Sequence, residues 1–271
     1  MSTEKIIKIV TVIPARNEEK HLRYTLRSLY NQSNSNYIIV VNYGSIDTTV
    51  NIARIYADII IHLPFHMESY IGTGKLAEVF NHGIEKAVSL ADFTMISGAD
   101  CIYPKDYIDR LLYEFELNPK LAIASGVIES EPNFTEHPRG AGRIIRNSFW
   151  KSVGGKYPVN YGFESYLLYK ALDNGWDIRS FPDIQFISRT TKKNKQKMYA
   201  MGKAHRAMNI WWVNVLNMFR KGIFKEPAHT IYYIAGYLVG AEKYDTDLSV
   251  YNIRRFKECH PNLSRLLVRG K

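Results

Sequence analysis

Three short runs of polar residues could bind or transform a ligand, and each follows an apolar segment of the chain. They are Pro14-Ala15-Arg16-Asn17-Glu18, Asn42-Tyr43-Gly44-Ser45 and Gly98-Ala99-Asp100. A carboxylate can take up a proton or hold a cation, an amide can hydrogen-bond to the edge of a base, and a guanidinium binds phosphate through two hydrogen bonds. Whether these groups act together depends on the elements that carry them.

The surrounding segments alternate between strand and helix patterns. Strands are predicted at 6–14, 37–41, 59–63, 93–97 and 121–128, and helices at 21–30, 48–56, 76–90, 107–117 and 165–172. Such alternation implies crossover units and an α/β fold with a mostly parallel sheet flanked by helices. Ligands bind at the carboxyl ends of such strands, so the three polar runs are expected to converge on one crevice.

The net charge of +10 is confined to one segment. The stretch 189–225 holds no acidic residue and ten basic ones: Arg189, Lys192, Lys193, Lys195, Lys197, Lys203, Arg206, Arg220, Lys221 and Lys225. Removing these ten from the 36 basic residues of the chain leaves 26, which matches the 26 acidic residues. The excess therefore localises an anionic partner.

Cysteine content and hydropathy bear on the compartment. Cys101 and Cys259 are too few for a disulfide framework or a four-ligand zinc site, which favours a reducing, cytoplasmic setting. The N-terminus lacks the long apolar stretch and cleavage site of a signal peptide. No run reaches the roughly 18 apolar residues that span a bilayer. We therefore expect a cytoplasmic protein, at most peripheral on the inner face of the membrane.

The polar runs belong to motifs that resemble those of the family 2 inverting glycosyltransferases. Residues 12–19 match the pattern V-I-P-x-x-N-E-E, and residues 40–49 follow the pattern V-V-D-D-G-S-x-D-x-T with two departures. Further matches follow in the family's order: Gly72-Thr73-Gly74-Lys75, Asn81-His82-Gly83-Ile84, Ser97-Gly98-Ala99-Asp100, Val153-Gly154-Gly155 and Gly162-Phe163-Glu164. The resemblance covers roughly residues 6–189.

The resemblance implies a GT-A fold in which a nucleotide-diphosphate sugar lies across the strand ends. An acceptor hydroxyl then attacks the anomeric carbon from the opposite face, and a carboxylate takes its proton. Positive charge, usually a divalent cation held by a D-x-D motif, stabilises the leaving diphosphate. We accordingly predict a catalytic domain over 1–188 and a basic, aromatic-rich helical extension over 189–271.

The resemblance also suggests roles for individual residues. Glu164 aligns with the acidic pair that supplies the catalytic base, although capping of a helix is the alternative. The predicted donor-binding residues are Pro14, Ala15, Arg16, Glu18, Asn42, Tyr43, Gly44, Lys75, Ala99, Asp100, Arg139 and Arg143. Tyr43 is a candidate for stacking on the base. Plainer roles remain open for three of the others: a helix start for Glu18, a strand-end cap for Asn42 and a solvated lysine for Lys75.

The metal signature of the family is incomplete here. Gly98 replaces the first residue of D-x-D, and Ser188 stands where a ligand histidine is usual. The family's two loop aspartates, at positions of expected base contact, are also replaced, by Asn42 and Tyr43. Asp100 is then the only evident ligand, so Mg²⁺ or Mn²⁺ would be held weakly; capping of the next helix is the alternative for Asp100. Arg139, Arg143, Arg146, Arg189 and Lys75 are candidates for the missing charge, or the arginines form a surface cluster.

The basic extension is predicted to form helices at 198–219, 229–241 and 248–259. Because Ile210-Trp211-Trp212-Val213 is apolar almost all round, an anionic membrane and a lipid-linked acceptor suit this segment better than nucleic acid. Packing of the segment on its own catalytic domain is the alternative. For the whole chain the second hypothesis is a degenerate GT-A protein that binds a nucleotide or a partner without catalysis.

Overall fold

A computed structural model of the chain describes residues 8–129, 131, 137–189 and 194–244. The strands within these residues form one eight-stranded sheet. They are β1 (Ile9–Ala15), β2 (Asn36–Tyr43), β3 (Ile59–Leu63), β4 (Phe93–Ile96), β5 (Cys101–Ile102), β6 (Leu121–Ile128), β7 (Arg143–Arg146) and β8 (Asp177–Ser188). Predicted strand residues 6 and 7, Lys192, Lys193 and the predicted helix 248–259 lie outside the described residues.

The sheet is mostly parallel, as the sequence predicts. Its strand order is β3-β2-β1-β4-β7-β6-β8-β5. Strands β3, β2, β1 and β4 are parallel neighbours, and β6 and β8 pair in parallel. The short β7 runs antiparallel between β4 and β6, and β5 pairs antiparallel with β8. The carboxyl ends of β2, β1 and β4 therefore lie along one edge, where the three polar runs follow them.

Helices cover the sheet on its apolar faces. They include α1 (Leu22–Tyr30), α2 (Thr49–Tyr56), α3 (Gly74–Leu90), α4 (Tyr107–Leu117) and α5 (Asn147–Ser152). The central strands are apolar runs rich in β-branched residues, which suits strands buried on both faces. A Cβ at Gly83 would lie 2.5 Å from Val12 Cγ1, so this glycine lets α3 rest directly on β1. Core packing thus holds the strand ends in place.

The described chain divides into two compact units. The first comprises residues within 1–69, 76–158 and 175–191, and it contains every strand given above. The second comprises residues within 70–75, 159–174 and 192–271, and it contains α6 (Phe163–Asp173), α7 (Lys195–Ala207), α8 (Trp212–Gly222) and α9 (Pro227–Val239). The predicted domain boundary at 188/189 stays a prediction.

The single helix predicted over 198–219 is wrong. The structure has two helices, α7 and α8, separated at residues 208–211. Asn209 lies between them with a φ of 53°. Asparagine is among the few non-glycine residues that adopt this left-handed conformation readily, and one such residue ends a helix. The apolar periodicity continues across residues 208–211, so the sequence pattern did not indicate the break between the two helices.

Two glycines bring α7 and α9 into close contact within the second unit. A Cβ at Gly202 would collide with the Tyr233 carbonyl, and one at Gly236 would collide with the Tyr199 carbonyl. The helix predicted at 229–241 forms as α9, with Pro227 in its first turn, where the missing N–H costs nothing. Among the described residues, no helix is both long and apolar enough to span a membrane.

Candidate active site

The loops after β1 and β2 are tied together by hydrogen bonds. The Asn17 N–H donates to Ser45 Oγ (3.1 Å), while Asn17 Oδ1 accepts from the Ile46 N–H (2.9 Å). The Glu18 N–H donates to Thr49 Oγ1 at 2.7 Å. Asn17 itself has a φ of 54°, a left-handed conformation that asparagine adopts more readily than most residues and that these bonds hold in place. We call residues 14–19 and 42–49 the strand-end rim, and its short polar residues make one connected structure of two loops.

Asp47 reinforces the rim as a carboxylate. Its Oδ1 accepts from the Thr49 N–H (3.0 Å), and its Oδ2 accepts from the Glu19 N–H (3.2 Å). Burial raises the pKa of Asp47, but these hydrogen bonds favour the charged form and leave the pKa below its usual value. Asp47 is therefore ionised at neutral pH and acts as a structural anion of the rim.

Arg16 fastens the loop after β3 to the rim. Its guanidinium donates to the carbonyl oxygens of His66 and Glu68, and its Nη1 lies 3.1 Å from His66 Nδ1. The loop 64–68 falls outside the motifs quoted above, and we found no sequence signal for its place here. Arg16 thus has a structural task in this structure, and its predicted contact with a donor stays a prediction.

Asn42 and Tyr43 replace two aspartates of the family pattern, and their side chains contact other residues of the chain. Asn42 Oδ1 accepts from the Ser45 N–H at 3.2 Å, the strand-end cap considered above. The Tyr43 ring is 8% exposed and stacks on His66, with 5.8 Å between ring centroids. Burial raises the pKa of the Tyr43 hydroxyl, so it stays neutral. Their contacts with a donor base stay predictions.

Gly44 completes the second loop. Its φ is 87°, and a Cβ there would lie 2.9 Å from Phe65 Cα. Only glycine combines this backbone with so close an approach of another chain segment. Pro14 and Ala15 end β1 opposite Val41 and Asn42 of β2, so the predicted contact residues of both motifs lie side by side.

Asp100 and Glu18 share one arginine. Arg189 Nε lies 3.2 Å from Asp100 Oδ2, and Arg189 Nη2 lies 3.1 Å from Glu18 Oε1. Asp100 follows the buried Ala99 and precedes a strand, so its alternative role as a helix cap is wrong. The backbone of Glu18, unlike Asp100, does contribute to a helix start, because its carbonyl oxygen accepts from the N–H groups of His21 and Leu22 at the start of α1. The carboxylate of Glu18 remains paired with Arg189.

The donor set at this edge does not fit a divalent cation. A Cβ at Gly98 would lie 2.8 Å from Asp100 Oδ1 and 3.2 Å from Cys101 Sγ, so a carboxylate at this position would require both side chains to shift. Asp100 itself is paired with a guanidinium. Across the described ranges, no three His, Cys, Asp or Glu residues are grouped to hold a metal. Hard cations need several oxygen ligands, and Asp100 supplies only one carboxylate.

Two of the predicted arginines have structural contacts. Arg143 is 1% exposed and donates to the carbonyl oxygens of Pro138 (2.8 Å) and Arg139 (3.0 Å), so it holds a turn in this structure, and its predicted contact with a diphosphate stays a prediction. Arg146 pairs with Phe93 at the start of β4, the opposite end of that strand from Asp100. The surface cluster of arginines that the sequence left open is therefore not formed by these two.

Arg139 forms an ion pair with Glu131. Burial lowers the pKa of its guanidinium without removing the charge at neutral pH. Its backbone N–H donates to Ser125 Oγ at 2.9 Å. A donor contact of Arg139 stays a prediction.

Two further predicted residues belong to the second unit. Glu164 lies in the first turn of α6 and is half-buried. Lys75 is exposed near the start of α3, with Nζ 5.3 Å from the centre of the Tyr70 ring. Their predicted roles as base and diphosphate contact stay predictions.

The chain belongs to Glycosyl transferase family 2, whose profile matches residues 10–176, more than half of its length. The matched stretch contains the strand-end rim, Asp100 and Glu164. The family resemblance that the sequence motifs suggested is thereby confirmed.

A curated relative and two solved structures are similar to the chain. The 4,4'-diaponeurosporenoate glycosyltransferase of Staphylococcus aureus is 26% identical over 120 residues, 43% of this chain and 30% of the relative, so the match spans under a third of that protein. S. aureus TarS 1-349 in complex with UDP-GlcNAc is 14% identical (TM-score 0.57; 78% of this chain, 67% of TarS 1-349). Mannosyltransferase PcManGT from Pyrobaculum calidifontis, in complex with GDP-Man and Mn²⁺, is also 14% identical (TM-score 0.60; 98% and 79%). These likenesses confirm the GT-A fold.

Proposed function

We propose that this protein transfers a sugar from a nucleotide-diphosphate sugar to an acceptor hydroxyl or phosphate with inversion at the anomeric carbon. The observation that carries the proposal is the strand-end rim, which includes Glu18, with Asp100 beside it at the carboxyl edge of a family 2 sheet. Ligands of open parallel sheets bind at this edge. Similar structures with bound UDP-GlcNAc and GDP-Man support a donor of this class.

In the proposed reaction an acceptor oxygen attacks the anomeric carbon as the bond to the diphosphate oxygen breaks. The diphosphate leaves with that electron pair. Glu164 takes the proton of a hydroxyl acceptor as general base. Because the residues beside Asp100 do not fit a divalent cation, we assign no step to a metal.

We also propose that the second unit docks on an anionic membrane that carries the acceptor. Trp212, Leu216 and Phe219 are exposed at positions i, i+4 and i+7, which share one face of α8. Phe224 is 90% exposed beyond the helix, and Lys225 beside it is exposed too. Apolar side chains with flanking cations suit an interface with anionic lipid headgroups. A lipid-linked acceptor would be presented at such a surface.

A second candidate is a GT-A protein that binds a nucleotide without turnover. The observation in its favour is that the residues replacing the family's loop aspartates, Asn42 and Tyr43, contact the protein itself. Hydrolysis of the donor distinguishes the two candidates, because a protein that only binds a nucleotide releases no nucleoside diphosphate from the donor.

The test is release of nucleoside diphosphate from a panel of UDP-, GDP-, ADP-, CDP- and dTDP-sugars, with and without Mn²⁺ and with anionic lipid extract as the acceptor source. The proposal predicts release from at least one donor, faster with extract than without it. Binding of a donor with no release under any condition would favour the second candidate instead.

A further inference from the structure

We propose that Arg189 is the protein's own cation at the donor diphosphate and takes the part that a divalent metal plays in relatives. The inference rests on the proposed function, because it assumes a nucleoside diphosphate at the strand-end edge. It goes further by assigning the charge that neutralises the leaving group to a single side chain.

The position of Arg189 follows from strand pairing. In the antiparallel pair of β5 and β8, Cys101 lies opposite Ser188 and Ile102 opposite Ile187. Arg189 follows Ser188 and Asp100 precedes Cys101, so the pairing brings these two residues together. The guanidinium meets Asp100 there and also reaches Glu18 of the strand-end rim. One planar cation thus joins the carboxylates that follow two neighbouring parallel strands.

The charges at this edge require a cation if a diphosphate is to bind. Without Arg189, the Asp100 and Glu18 carboxylates would repel a diphosphate. Arg189 contacts both through Nε and Nη2, and its side chain is 46% exposed. A guanidinium has five N–H donors and binds phosphate oxygens in pairs, so it can hold both carboxylates and still meet a ligand.

Other cations of the first unit are less suited to this role. Arg143 is buried under its own turn, Arg146 lies at the far end of β4, and Arg139 is paired with Glu131. Residue 98, where relatives have a metal ligand, is a glycine here, and a side chain at this position would have to displace Asp100 and Cys101. The edge that lacks this ligand holds an arginine between its two carboxylates.

Calorimetric titration with nucleoside diphosphates tests the inference. UDP, GDP, ADP, CDP and dTDP would be titrated into the full chain in EDTA and again in Mn²⁺, with the matching nucleosides as phosphate-free probes. We expect one diphosphate to bind in EDTA, with an affinity that Mn²⁺ raises less than about threefold. Arg189→Ala should weaken that diphosphate by about 10- to 100-fold, the usual size of a charge-assisted phosphate contact, and leave the nucleoside unchanged.

Arg110→Ala is the matched control, because Arg110 is a similarly exposed arginine in one ion pair, with Asp183. It should leave diphosphate affinity unchanged. Arg189→Lys keeps a charge but loses the paired geometry, so it should give an intermediate affinity, and it replaces the alanine variant if that variant does not fold.

Two results would overturn the inference while the proposed function stands: diphosphate affinity that is equal in Arg189→Ala and the unaltered chain, or a gain of more than tenfold on adding Mn²⁺ to the unaltered chain. If folded, unaltered chain binds none of the five diphosphates in either condition, the proposed function and the inference both fail.

Discussion

The strand-end rim and the exposed face of α8 differ in what their side chains contact. In the rim, polar groups form hydrogen bonds with one another: the Asn17 side chain accepts from the Ile46 N–H, and the Asp47 carboxylate accepts from the N–H groups of Glu19 and Thr49. On α8 and just beyond it, large apolar groups such as Trp212 and Phe224 remain exposed. The first pattern gives the fixed backbone that a small-ligand site requires, whereas the second leaves apolar area exposed, as in sites that contact a large surface. Substitutions in the two regions should therefore change different observables.

The largest effect is expected at Glu164, the proposed base. Glu164→Gln should lower kcat by about 10²-fold or more and leave donor affinity nearly unchanged, because a lost base affects the transition state rather than ground-state contacts. Steady-state transfer and donor titration measure the two quantities separately. Glu242→Gln, which alters an exposed acid of the same unit, is the control. Unimpaired turnover in Glu164→Gln would remove this residue from the mechanism.

A smaller effect is expected from the aromatic pair of the second unit. Vesicles with anionic lipid should retain the protein, and raising the salt should reduce retention because several surface cations act together. Replacing Trp211 and Trp212 by alanine should lower retention by about tenfold even at low salt, since partial burial of the two rings in the interface contributes about 1 to 2 kcal/mol in all. Sedimentation with vesicles measures the bound fraction.

The double variant Tyr24→Ala, Tyr113→Ala removes exposed aromatic residues from the first unit and should not change retention. Equal binding to neutral and anionic vesicles, or binding to neither, would contradict membrane docking and erase the proposed difference between the two regions.

The smallest effect is expected at Asp47 of the rim. Asp47→Asn should lower the free energy of unfolding by about 1 kcal/mol at pH 7, because the carboxylate accepts two backbone hydrogen bonds. The pKa of Asp47 is lowered in the folded state, so its contribution is present above the unfolded pKa of about 3.9 and is lost as pH falls through the folded pKa. Urea unfolding at pH 7 and near pH 3 measures this difference. A difference in the free energy of unfolding between the two proteins that becomes larger at the lower pH would refute this role.

Local patterns predicted the elements of the first unit closely. Helix α4 and strands β3 and β6 have the predicted bounds, because apolar residues there repeat at the period of the element that buries them. The break at Asn209 was missed because it interrupts no apolar period. A single backbone conformation caused it, and composition carries little trace of such a conformation.

Side-chain destinations were harder to predict than elements. The sequence places Arg143 and Arg146 three residues apart, yet β7 carries them to opposite ends of β4, and one is buried. The meeting of Arg189 with Asp100 depends on antiparallel pairing of β5 with β8, two segments more than 80 residues apart. No local pattern encodes such a pairing. The sequence therefore predicted that the polar runs share one edge of the sheet, while the partners of each charge required the structure.

The central claim is that the strand-end edge binds a nucleotide-diphosphate donor. Thermal unfolding in the presence of the five common nucleoside diphosphates, each in EDTA and in Mn²⁺, tests it directly because a ligand that binds the native state raises the apparent Tm. The account predicts that one or two of the five raise the Tm in EDTA, and that Arg189→Ala reduces this rise while Arg110→Ala does not. A Tm that none of the five changes, in either condition, would contradict the account.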